Sequence, residues 1–137
     1  GQMHADTLTA LAQLGPLRVT PWRMLLIEGA TTLPTLPGLI LTADNPLLRV
    51  EACTGAPACL QAHRPVRALA RALAAQVPQG KRLHISGCAK GCAHPGPADL
   101  TLVATAHGFD VIQNGRASDP PQISALPEDR IDLKGLL

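Results

Sequence analysis

The sequence predicts an α/β (α+β) domain in which helices pack on a mixed sheet, and three observations lead there. Short runs of branched and apolar residues, bounded by Gly, Pro, Asn and Asp, alternate with one long Ala- and Leu-rich stretch of helical period. The chain has 137 residues, 46% hydrophobic and 16% charged, which is the size and composition of one folded domain and not of a disordered tail. Trp22 and Phe109 are its only aromatic residues. The core is therefore expected from Leu, Val, Ile and Ala, and the stacking platforms that read single-stranded nucleic acid are missing.

In order along the chain, Ala5 to Leu14 repeats Leu8, Leu11, Ala12 and Leu14 at helical spacing and stops at Gly15-Pro16, which predicts a short helix. Leu17 to Thr20 and Arg23 to Glu28 read as strands around Thr20-Pro21-Trp22, with Trp22 as a packing residue. Residues 31–37, with two prolines, form a connector. Gly38 to Thr42 and Leu47 to Ala52 are expected as two strands joined by the turn formers Ala43-Asp44-Asn45-Pro46. Pro65 to Val77 is the strongest helix: Pro suits the first turn, Ala and Leu propagate it, and Pro78 to Gly80 ends it. Its apolar face is Val66, Leu69, Ala70, Leu73 and Val77. Arg82 to Ser86 is a strand leading to Gly87-Cys88, and Asp99 to Thr105 with Phe109 to Gln113 is a hairpin. The end, from Pro120, reads as proline-marked with a weak helix from Glu128.

A net charge of +2 conceals an uneven distribution. Residues 1–51 hold three bases against four acids, and residues 99–137 hold three against six. From Ala52 to Ala98 there is no acid, while Arg64, Arg67, Arg71, Lys81, Arg82 and Lys90 contribute six positive charges, and all four cysteines lie in this stretch. An anionic partner is expected there. The longest aliphatic run, Met24 to Ile27, is far short of the roughly 20 residues that span a bilayer, and the first fourteen residues carry no cationic leader. A cytoplasmic protein, with neither a membrane nor a nucleic acid as partner, is the expectation.

The cysteines fall in two loops, Cys53-x5-Cys59 and Cys88-x3-Cys92, separated by 28 residues that include the long helix. Three chemistries suit four such thiols. A disulfide framework belongs to an oxidising compartment. A structural zinc site commonly uses Cys-x2-Cys knuckles, a spacing neither loop has. An iron–sulfur cluster takes four thiolates at longer spacings and carries net negative charge, which the acid-free, basic stretch would offset.

Cys-x5-Cys followed by Cys-x3-Cys resembles the 4Fe-4S half of the nitrite and sulfite reductase hemoproteins, and ACTGAPAC at 52–59 is similar to their first loop. The second loop, SGCAKGCAHPGPADL at 86–100, departs from the ferredoxin-dependent reductases, which generally have Asn at the centre of Cys-x3-Cys and Arg two residues beyond its second Cys. Lys90 and His94 occupy those positions here. This version resembles the precorrin-3B synthase family, which shares the scaffold, and so does Leu17 to Arg23. The likeness runs from about Leu8 to Arg116.

The resemblance implies the end of a ferredoxin-like half-domain at 1–30, a 4Fe-4S cluster domain at 31–118 and a carboxyl-terminal tail at 119–137. It implies Cys53, Cys59, Cys88 and Cys92 as cluster ligands, with Cys92 the position that bridges to siroheme in the reductases. It also implies an oxygen-dependent monooxygenase that hydroxylates precorrin-3A in cobalamin synthesis, served by an electron donor, with a siroheme or a mononuclear iron as a further group. Family members are several times longer, so the chain is expected to be a carboxyl-terminal portion, inactive without the amino-terminal half. Gly1-Gln2-Met3-His4 reads as a cloning scar, an internal cut or a partial gene.

Arg23 is a candidate for holding a tetrapyrrole carboxylate through its planar guanidinium, the alternative being a solvated arginine. Lys90, between two ligands, is a candidate for offsetting the cluster's charge, or else an exposed lysine. His94 is a candidate for facing the macrocycle or binding a second iron, or else a hydrogen-bonded histidine. His63, His84 and His107 receive no role. The competing readings are a sulfite or nitrite reductase portion with siroheme, and a zinc-stabilised, non-catalytic binding domain.

Overall fold

The computed structural model describes residues 2–137, which divide into two compact units, one ending at Ala43 and one spanning Asp44–Leu137.

In the first unit, helix α1 (Ala5–Ala12) is followed by strands β1 (Leu17–Val19) and β2 (Leu25–Ile27), which pair antiparallel with Leu17 opposite Ile27. Leu11 on α1 is buried. Arg18 Nε donates to Glu28 Oε1 at 2.7 Å and ties the base of the ribbon. Trp22, expected to pack, is 71% exposed at the ribbon's turn, because two strands of three residues offer no face to pack against. No strand forms at Gly38 to Thr42, another expectation the fold corrects. Gly38 takes φ +82 there, a left-handed backbone that breaks an extended run.

The second unit is an α+β arrangement around a five-stranded mixed sheet. Its strands, in the order β3-β4-β5-β6-β7, are Val50–Ala52, Leu83–Ser86, Ala98–Ala104, Phe109–Gly115 and Ile123–Leu126. β3 and β4 are parallel, as are β4 and β5, and the remaining pairs are antiparallel. The expected strand at Leu47 to Ala52 shortens to β3, because Asn45 Oδ1 accepts from Leu47 N at 3.0 Å and Pro46 starts a 3-10 turn over Pro46–Arg49. Helix α2 (Arg67–Leu73) continues as a 3-10 turn at Ala74–Gln76 and connects β3 to β4.

The expected apolar face of this helix is buried in full. Val66, Leu69, Ala70, Leu73 and Val77 pack with Leu83, Ile85, Leu100, Leu102, Phe109 and Val111 on one face of the sheet. Side chains alternate along a strand, so Glu51, His84 and Thr101, neighbours in the register, lie on the opposite face. The segment expected as a tail (119–137) supplies β7 and two 3-10 turns, and its Ile131 and Leu133 join the core. The weak helix expected from Glu128 is only the 3-10 turn Glu128–Arg130. Among the described residues, no helix is long and apolar enough to cross a membrane.

Candidate functional site: a four-thiol pocket at parallel strand ends

β3 and β4 run the same way, with Ala52 opposite Ile85, so the chain leaves both at one edge of the sheet. Cys53 follows β3 directly, and Gly87-Cys88 follows β4. Hydrogen bonds then hold the two loops together. Cys53 N donates to Ile85 O at 3.2 Å and His63 N to Gly87 O at 2.9 Å. Within the first loop Cys59 N donates to Gly55 O at 2.9 Å. Gly55 has φ +70, and a Cβ there would meet Val66 N at 2.9 Å, so the turn requires glycine.

The four cysteines line one cavity of about 290 Å3, whose wall is completed by Thr54, Ala58, Ala62 and Ser86. All four are free thiols, three half-buried and Cys92 exposed. Gly87 N donates to Cys53 Sγ at 3.0 Å, which favours negative charge on that sulfur. A Cβ at Gly87 would lie 2.6 Å from Ala62 Cβ and 3.2 Å from Cys53 Sγ, so a side chain at 87 would crowd the pocket beside the sulfur. Four sulfur donors around a cleared space fit a soft metal group. Among the described residues, no three His, Cys, Asp or Glu side chains are drawn together as the ligands of a single metal ion. The thiols are instead distributed around the cavity wall.

Other candidates fall in different places. Arg23 lies in the first unit, in the turn of the ribbon, exposed and with φ +60. Lys90 is exposed at the centre of the second cysteine loop. His94 is held by the fold: its Nδ1 stands 2.7 Å from Glu51 Oε2 and its Nε2 3.1 Å from Pro97 O.

The basic stretch is less free than its sequence suggests. Arg82 NH1 donates to Glu51 Oε1 at 2.7 Å, Lys81 Nζ to Asp99 Oδ1 at 2.9 Å, and Arg64 to the carbonyls of Thr105 and Ala106 at 3.0 Å. The acids that bracket the stretch thus neutralise part of it.

Glu51 and His84 are the residues that spacing did not single out. His84 is fully buried, and neither of its ring nitrogens has a hydrogen-bond partner. Burial, with His94 adding to it and Glu51 opposing, pushes its pKa down to about 4.

Fold and pocket together define an α+β domain with four thiols gathered at the ends of parallel strands. By sequence the chain is a homologue of precorrin-3B synthase: the enzyme from Sinorhizobium sp is 32% identical over 96 residues, 67% of this chain and 21% of that protein. The chain thus spans about a fifth of the length of this curated relative. No protein-family model matches the chain.

Proposed function

We propose that this chain is the cofactor-bearing portion of a precorrin-3B synthase, with Cys53, Cys59, Cys88 and Cys92 holding a [4Fe-4S] cluster. One observation carries the reading: two loops distant in sequence bring four thiols to the wall of a single cavity of about 290 Å3. A tetrahedral zinc ion draws its sulfurs to about 2.3 Å, whereas a cubane fills a space of several atoms. When bound, such a cluster supplies an electron-transfer centre. The chain's own contribution is to fix the thiols through the backbone bonds between the loops. Gly87 N–H favours negative charge at Cys53, and Ala58 and Ala62 give the pocket an apolar part of its wall.

In the complete enzyme the reaction would be the oxygen-dependent hydroxylation of precorrin-3A in cobalamin biosynthesis, with electrons from a donor protein. Arg23 and Lys90 remain proposals as substrate-side residues, whereas the two ring nitrogens of His94, also a candidate, face Glu51 and Pro97 O within the fold. A macrocycle and a mononuclear iron or siroheme would require walls beyond these 137 residues.

Anaerobic reconstitution tests the reading. About four iron and four sulfide per chain, with a broad absorption at the edge of the visible, are expected. One zinc per chain and no colour would replace it with the zinc-stabilised binding domain, and an added strong tetrapyrrole band would favour the reductases. Cys92→Ser exchanges a soft thiolate for a harder, poorly ionised oxygen and should weaken or abolish the four-iron spectrum. An unchanged spectrum in that variant would remove Cys92 from the ligand set.

A further inference from the structure

On the sheet face opposite the core lies a cluster of side chains that the thiol pocket does not use. Glu51 stands in β3 two residues before Cys53, His84 stands opposite it in β4, and His94 follows Cys92 by two residues. The Glu51 side chain is 8% exposed, and each carboxylate oxygen has a partner: Arg82 NH1 on Oε1 and His94 Nδ1 on Oε2, both at 2.7 Å. His94 is held at several points besides. Its Nε2 stands 3.1 Å from Pro97 O, its backbone N–H donates to Gly91 O at 3.1 Å, and its ring meets His84 edge-on with centroids 5.8 Å apart.

We propose that Glu51 is a positioning residue: through His94 it clamps the strand that delivers Cys53 to the loop that carries Cys92. The proposal rests on the reading that the four thiols share one cluster. If the second loop swings away, the 2.7 Å contact between His94 Nδ1 and the buried Glu51 carboxylate is lost, a cost the closed loop avoids. The edge-on contact with the fully buried His84 ring further restrains the imidazole. The clamp therefore sets the distance between two ligands that come from different loops.

The test compares the 137-residue protein with Glu51→Gln, His94→Gln, the double variant, and Asp99→Asn as a control that removes a hydrogen-bonded carboxylate elsewhere in the same sheet. In metal-free protein, amide exchange over residues 91–95 should rise about tenfold in each single variant and no further in the double, because both remove one interaction. Asp99→Asn should exchange as the wild type does. After anaerobic reconstitution, Glu51→Gln should release iron to a chelator several-fold faster and change the paramagnetic-resonance signature of the reduced cluster, which general loosening of the sheet in Asp99→Asn should not do.

Unchanged exchange in Glu51→Gln, or single effects that multiply in the double variant, would overturn the clamp. If Glu51→Gln does not fold, His94→Gln alone decides, since it leaves Glu51 paired with Arg82; unaltered exchange there is a negative. A wild type that takes up no iron and sulfide would overturn the cluster reading instead, while the metal-free exchange series would still decide the clamp.

Discussion

Val19, Trp22, Met24 and Leu26, in the unit that ends at Ala43, stand exposed on a two-stranded ribbon, whereas Val66, Leu83, Leu102 and Phe109, in the unit from Asp44 onward, are sealed in one core. Both sets are equally apolar in sequence. What separates them is the number of strands available to share a face: five with a helix across them can bury it, and two cannot. The thiols belong to the unit with the core, so the geometry of the pocket depends on a packed sheet and not on the ribbon.

That contrast can be broken most sharply by truncation. Phe109 is fully buried, and Phe109→Ala should cost about 3–5 kcal/mol in denaturant unfolding. Leu26→Ala, on the ribbon, should stay within about 0.5 kcal/mol. Equal losses would mean that the ribbon's apolar side chains are as structural as the core.

Acid provides the next largest effect. The folded state keeps His84 neutral down to about pH 4, while the unfolded chain protonates it near 6.5. Stability is therefore complete above pH 6.5 and falls as pH drops toward 4, by about 3 kcal/mol over the window. A melting series in pH should show this slope in the wild type and a flatter one in His84→Leu; identical slopes would mean that His84 is not held neutral.

The smallest effect belongs to Asp99. The hydrogen bonds from Lys81 and from the backbone N–H of Arg82 hold its carboxyl below the usual carboxylate range. Their contribution is present above the unfolded value of 3.8 and is lost as pH falls through the lowered one. With Lys81 exposed, Asp99→Asn should cost under about 1 kcal/mol near neutral pH, read from the shift in denaturation midpoint. A larger loss would place that pair among the core contacts.

The parts of this fold that could be read in advance are those governed by local period. Every residue of the face expected for the helix at 65–77 is buried, although α2 itself covers only Arg67–Leu73, and the β5–β6 hairpin formed around the expected turn at 106–108. Local period failed where caps and edges decide. Asn45 capping Leu47 N made a 3-10 turn of an apolar run, and β7 is a half-exposed edge strand whose Ala125, at φ +54, donates its backbone N–H to Asp110 Oδ1. The site divides in the same way. Four cysteines in two loops announce themselves by spacing, but Glu51, His84 and His94 meet only through the parallel register of β3 and β4, which no interval in the chain encodes.

The crossover between those parallel strands has a bearing on how such pockets tolerate change. Cys53 and Cys88 are placed by the ends of β3 and β4, and of the 28 residues between the two cysteine pairs, those from Pro78 to Lys81 only join the helical segment to the start of β4. The Pro78 to Lys81 turn lies at the far end of that journey, where β4 begins. Loop closure costs rise by only about 0.6 kcal/mol per doubling of length, so insertions at this turn are nearly free and leave the sulfurs where they were. The interval between the two cysteine pairs is thus the part of the motif freest to drift, whereas x5 and x3, which shape the loops themselves, are not.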